Sequence, residues 1–130
     1  MSGRHATGGH PGQVARAMLE AVFSNDFETA RSYCAPDLVL RIEGVQTVEG
    51  HEGLRHLMEF NAQVSIDVRL DIHHVVGDGD TVAINRTTYL TIAGQPLGLE
   101  VGAFFTVRDG LVTEWTDYQD MQEISRALGH

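Results

Sequence analysis

Apolar and polar positions divide the chain into a helical half and an extended half. From Gln13, the residues Val14, Met18, Leu19, Val22 and Phe23 recur at helical spacing and predict an amphipathic helix. Ser24-Asn25-Asp26 interrupts it. Asn25 or Asp26 can cap a short second helix from Phe27 to Cys34, which Pro36 must end. Leu38 to Glu43 alternates as a strand, and Gly50 opens a third helix with Leu54, Leu57, Met58 and Asn61 on one face.

After Ala62 the period changes to two. Val64, Ile66, Val68, Leu70, Ile72, His74 and Val76 share one face of a predicted strand; Ser65, Asp67, Arg69, Asp71 and His73 share the other. Gly77 to Asp80 is a hairpin turn. Thr81 to Ile92 places Val82, Ile84, Arg86, Thr88, Leu90 and Ile92 together. A turn around Ala93 to Pro96 leads to Leu97, Leu99, Val101, Ala103, Phe105 and Val107. A second hairpin turn, Arg108 to Gly110, precedes a last strand, Leu111 to Gln119, with Thr113, Trp115 and Asp117 on one face. A closing helical turn is expected over 120–128. Helices packed on one face of an antiparallel meander make an α+β domain over 13–130. Residues 1–12, rich in Gly and His, read as a disordered arm.

Composition narrows the chemistry. The 130 residues suit one domain. Nine basic against eighteen acidic residues give a net charge of −9, which argues against nucleic acid or an anionic membrane as a partner. Every basic residue is Arg, so a lysine Schiff base is excluded. The lone Cys34 excludes an internal disulfide and a cysteine zinc site. The folded region holds no phosphate loop, serine elbow or metal-spaced His/Asp cluster, so neither metal nor cofactor is expected. No apolar run is long enough to span a membrane, and the N-terminus lacks a secretory apolar region, so a soluble cytoplasmic protein is the default expectation.

Polar residues on apolar faces carry the most information. The alternation isolates His74, Arg86, Thr88 and Asp117. A buried arginine needs a carboxylate partner, and Asp117, facing inward beside Trp115, is the natural one. The pair is either an internal ion pair tying the sheet together or the charged centre of a pocket between helices and sheet. On the opposite face, Tyr89, Phe104 and Tyr118 are either scattered aromatics or one patch that a second copy covers in a homodimer.

The run Asn85-Arg-Thr-Thr-Tyr-Leu-Thr-Ile-Ala-Gly94, then Val101-Gly-Ala-Phe-Phe-Thr-Val-Arg-Asp-Gly110, then Trp115-Thr-Asp-Tyr-Gln-Asp120 resembles the limonene-1,2-epoxide hydrolase family. That family lies in the nuclear transport factor 2-like group, with ketosteroid isomerase and the SnoaL-type polyketide cyclases. The resemblance covers residues 13–128. It implies a cone-shaped α+β fold, with a curved mixed or antiparallel sheet around a pocket closed by three N-terminal helices. In the family one aspartate activates water, a second protonates the epoxide oxygen, and an arginine bridges them. The base falls on Asp117, the arginine on Arg86 and the acid on Thr88. The water-orienting Tyr and Asn fall on Leu40 and Ile42. A threonine hydroxyl holds its proton too tightly for general acid catalysis. Leu40 and Ile42 hold no water.

The expected pocket, lined by Leu40, Ile42, Thr88 and Trp115, therefore suits cyclisation, isomerisation or epoxide opening of a hydrophobic polyketide or terpenoid, with Asp117 as acid/base. An epoxide hydrolase using His74 as substitute acid, and a non-catalytic binding protein, are the alternatives. By the ketosteroid isomerase pattern the base would lie near Arg41, where no carboxylate stands in register.

Overall fold

The computed structural model describes residues 10–64, 67–120 and 126. Helix α1 (Pro11–Phe23) is followed by α2 (Phe27–Ser32), strand β1 (Cys34–Ile42), β2 (Gln46–Glu49) and α3 (Gly50–Val64). Strands β3 (Arg69–Asp78), β4 (Thr81–Ile92), β5 (Gln95–Arg108) and β6 (Leu111–Gln119) complete the order. The six strands form one sheet ordered β2-β1-β6-β5-β4-β3. It is mixed, because β1 runs parallel to β6 while the other pairs are antiparallel. No helix among the described residues is long and apolar enough to cross a membrane.

Helix α1 starts at Pro11, two residues before the expected Gln13. Pro11 stands at its first position, where no N–H is needed, and Gln13 Oε1 accepts from the His10 backbone N–H at 3.4 Å. Pro11 and Gly12 thus belong to the helix rather than to the arm; residues 1–9 lie outside the described residues, as does most of the segment 120–128. Asn25, at φ 60°, turns the chain, and Asp26 Oδ1 caps α2 by accepting from Thr29 N at 3.2 Å. Helix α2 stops at Ser32, short of the expected Cys34. Cys34 instead pairs with Val112, and Pro36 sits in the stretch between Cys34 and Val39 where β1 shifts register against β6.

Strand β2 was not foreseen, since Val48 is its one apolar residue. A Cβ at Gly53 would stand 2.9 Å from Val48 Cβ, so the absence of a side chain there lets α3 lie close against β2. Helix α3 also runs to Val64, which the strand pattern had claimed; Ile66 lies outside the described residues. The core fills the space between α1, α3 and the inner sheet face. Met18, Leu19, Leu38, Leu54, Ile84 and Val112 are fully buried there, and Trp115 stacks on Phe105 at 5.7 Å between ring centroids. On β6 it is Val112, not Thr113, that faces the core, because the β5–β6 register shifts between Thr106 and Val107.

Candidate active site

The inner face of three adjacent strands carries one charged constellation. Arg86 on β4 and Asp117 on β6 face inward by the period of two, with β5 between them. Arg86 is 1% exposed and Asp117 6%. The guanidinium grips the carboxylate with two bonds, Nη1 to Oδ1 at 3.2 Å and Nη2 to Oδ2 at 2.8 Å. Two residues before Asp117 on the same face, Trp115 donates from Nε1 to Oδ1 at 2.6 Å. Arg86 Nε donates to Thr88 Oγ1 at 3.0 Å. Three donors thus fix one carboxylate, and it is the only buried carboxylate among the described residues.

Strand β1 supplies the apolar side. Leu40 pairs with Trp115 and Ile42 with Asp117 across the parallel β1–β6 ladder, so both stand beside the constellation. Leu40 is fully buried and Ile42 partly so. The Phe23 ring, at the last position of α1, lies over the guanidinium with its centroid 5.0 Å from Arg86 Cζ. Six residues thus meet from four elements: Phe23, Leu40, Ile42, Arg86, Trp115 and Asp117, with Thr88 one step along β4.

His74 is not among them. Ile72 pairs with Arg86 but His74 pairs with Asn85, so β3 holds one extra residue at His73. This bulge moves the inward positions from even to odd numbers. Val75 then packs on the core, and Val76 is 63% exposed. His74 lies on the outer face, with Nδ1 3.1 Å from Asn85 Oδ1, and cannot serve as substitute acid for Asp117.

The bulge builds a second polar group on that outer face. The Thr87 hydroxyl donates to Glu100 Oε2, so its oxygen is left to accept from His73 Nε2 at 2.7 Å. The Thr87 bond holds the Glu100 carboxyl below the usual glutamate range, aided by Asn85 and the charge of His73. A carboxyl depressed in the folded state stabilises it above the ordinary glutamate pKa, and that contribution is lost as pH falls through the lowered value. Glu100→Gln is therefore expected to flatten the acid limb of a stability profile measured by urea denaturation between about pH 6 and pH 3. An unchanged acid limb would refute the assignment.

Two cavities open beside α1. One, of about 400 Å³, lies between Val22, Phe23, Met58, Asn61 and Val68. The other, of about 390 Å³, lies between Arg16, Glu20, Phe23, Leu70 and Ile72. Neither of these two cavities is lined by Arg86, Thr88, Trp115 or Asp117. No cluster of His, Cys, Asp and Glu among the described residues could hold a metal ion. Cys34 is buried, and burial pushes its thiol up to about 12, which leaves it unreactive.

The profile of the SnoaL-like domain matches residues 15–115. The chain belongs to the SnoaL-like domain family. Epoxide hydrolase EphG of Mycobacterium tuberculosis is 29% identical over 115 residues, 88% of this chain and 76% of that protein. The structure of a LEH-like epoxide hydrolase from M. tuberculosis superposes with a TM-score of 0.78 at 27% identity, covering 91% of this chain and 88% of that one. A loop-truncation variant of IdmH gives a TM-score of 0.80 at 26% identity, over 92% of this chain and all of the other. Wild-type IdmH of Streptomyces antibioticus has the same fold, with a TM-score of 0.80 at 24% identity over 93% of this chain and 99% of the other. The SnoaL-like fold thus agrees with the α+β, nuclear transport factor 2-like architecture expected from the strand run after Asn85, and the family binds small-molecule substrates.

Sequence reasoning missed two features of this SnoaL-like site. Phe23 reads only as one member of an apolar helix stripe, and its place over Arg86 depends on how α1 crosses the sheet. The Thr87–Glu100 contact joins two residues on a polar face, where neither stands out.

Proposed function

We propose that this protein is a cofactor-independent enzyme of small hydrophobic substrates, with Asp117 as its acid/base. The observation that carries the reading is the single buried carboxylate among the described residues, aligned by Arg86 and Trp115 on a mostly apolar face. A carboxylate so placed can take a proton from a substrate carbon or hydroxyl and return it to the oxygen that gains charge as the ring closes or opens. Arg86 offsets the charge that this exchange moves. Leu40 and Ile42 hold no water beside Asp117, and Thr88 supplies no second acid. Cyclisation, isomerisation or intramolecular epoxide opening of a polyketide or terpenoid fits these residues better than hydrolysis. The test is the effect of Asp117→Asn on turnover, argued in the Discussion.

Epoxide hydrolysis is the second reading, favoured by the likeness to EphG. It makes a constructive prediction. An aspartate at position 88 would meet Arg86 Nε, where Thr88 Oγ1 now accepts, on the side away from Asp117. Thr88→Asp with Ile42→Asn is expected to raise hydrolysis of limonene oxide above background. Ile42 is the place for the water-holding amide because it is only partly buried beside Asp117, whereas a tyrosine at the fully buried Leu40 would overfill the core. A folded double variant that leaves limonene oxide intact would remove Thr88 from the acid position.

We also propose a homodimer through the outer sheet face. Phe104 is 51% and Tyr118 49% exposed, in edge-to-face contact at 6.0 Å; Tyr89, under Arg69, pairs with Gly98 toward the other end of β5 and stands apart from this contact. Light scattering at micromolar concentration is expected to report about twice 14.3 kDa, and Phe104→Asp to halve it. A wild-type monomer would refute the interface.

A further inference from the structure

We infer that Phe23 is the gate of the Asp117 site, and that a flat unsaturated part of the substrate takes its place over Arg86. Phe23 is the one residue that both lines the two cavities and touches the constellation. The cavity toward β3 ends at Ile72, the cross-strand neighbour of Arg86, with Phe23 over the guanidinium itself. A ligand in either cavity therefore stops one side chain short of the buried charge. Swinging the ring aside joins the cavities to Arg86 and Asp117 without disturbing a strand.

The local chain suits such a movement. Phe23 is the last residue of α1, so no i+3 or i+4 side chain of the same helix packs over its ring. The backbone behind it stays anchored: Ser24 N donates to Glu20 O at 3.0 Å, Asn25 N to Val22 O at 3.1 Å, and Asp26 N to Ala21 O at 2.9 Å. Only apolar packing and the contact with Arg86 hold the ring. Its departure uncovers a cation whose face prefers another π system, because a saturated ring fills the volume without attracting the charge. The inference rests on the reading of Asp117 as the reacting group only for what happens after the gate opens. It adds a substrate class: molecules with an aromatic ring or conjugated polyene beside the reacting bond.

Trp115 is the only tryptophan of the chain, and it is buried with its N–H on Asp117, so its fluorescence reports access to the site. Acrylamide quenching is expected to be weak in the wild type and to rise severalfold in Phe23→Ala. Phe23→Leu, which keeps the core filled, is expected to fall between, having lost the tie to Arg86. By calorimetry, Phe23→Ala is expected to bind 2-naphthol at least about tenfold tighter than its saturated counterpart decahydro-2-naphthol. Unchanged quenching in both folded variants would overturn the gate. Equal affinity for the two probes would overturn the π preference. None of these readouts involves turnover: a failed gate leaves the role of Asp117 standing, and turnover that survives Asp117→Asn leaves the gate standing.

Discussion

Asp117→Asn is expected to lower turnover by at least about 10²-fold, the usual scale for loss of a general acid–base group. The amide keeps the shape of the carboxylate and one oxygen that can accept from Trp115 and Arg86 Nη1, but it leaves the buried guanidinium without its counter-charge. The variant is therefore expected to lose stability, and its turnover is compared at a temperature where it is folded. What the amide lacks is the capacity to take a proton. Because Asp117 is the only buried carboxylate among the described residues, no other described residue on the inner face can substitute for it. His74, which could have done so on the even-numbered pattern, is on the other side of the sheet. The measurement is a rate on whichever cyclic epoxide or polyene the wild type converts, with circular dichroism to confirm the fold. Unchanged turnover in a folded variant would sink the acid/base assignment and favour a binding protein.

The strands that build the centre of the site were legible because each buries one face only. On β4, β5 and β6 the alternation around Arg86, Val101 and Trp115 holds along most of each strand, so the inward placement of Arg86 and Asp117 follows from counting by two. On β3 the same counting fails. The bulge at His73 shifts the phase, and the adjacent Val75 and Val76 are both apolar, so the sequence does not show which one faces the core. The end of α3 failed for a related reason: Val64 fits both the helix stripe and the strand alternation, and tertiary packing decided between them. Strand β2 offers one valine in four residues, too little for any period. The pairing of Phe23 with Arg86 is a contact between elements far apart in the chain, which no local pattern encodes.

Arg86 and Asp117 as an ion pair set up the second large effect. Arg86→Leu is expected to destabilise the protein by about 3–5 kcal/mol, because it leaves Asp117 buried with Trp115 Nε1 as its main remaining donor. Replacing both partners differs in sign. Removing a buried pair together is commonly neutral or stabilising by about 1–4 kcal/mol, since neither charge is then left without its counter-charge. Against that stands the Trp115 N–H, which loses its acceptor at a cost of about 1–3 kcal/mol. The two terms nearly offset, so Arg86→Leu/Asp117→Leu is expected to unfold in urea close to the wild type and well above either single variant. The same double variant is expected to have no turnover. A stable but inactive protein would mean that the pair is retained for chemistry and contributes little to holding the sheet. A double variant as unstable as Arg86→Leu alone would instead make the pair a structural tie between β4 and β6, and the binding-protein reading would then take precedence.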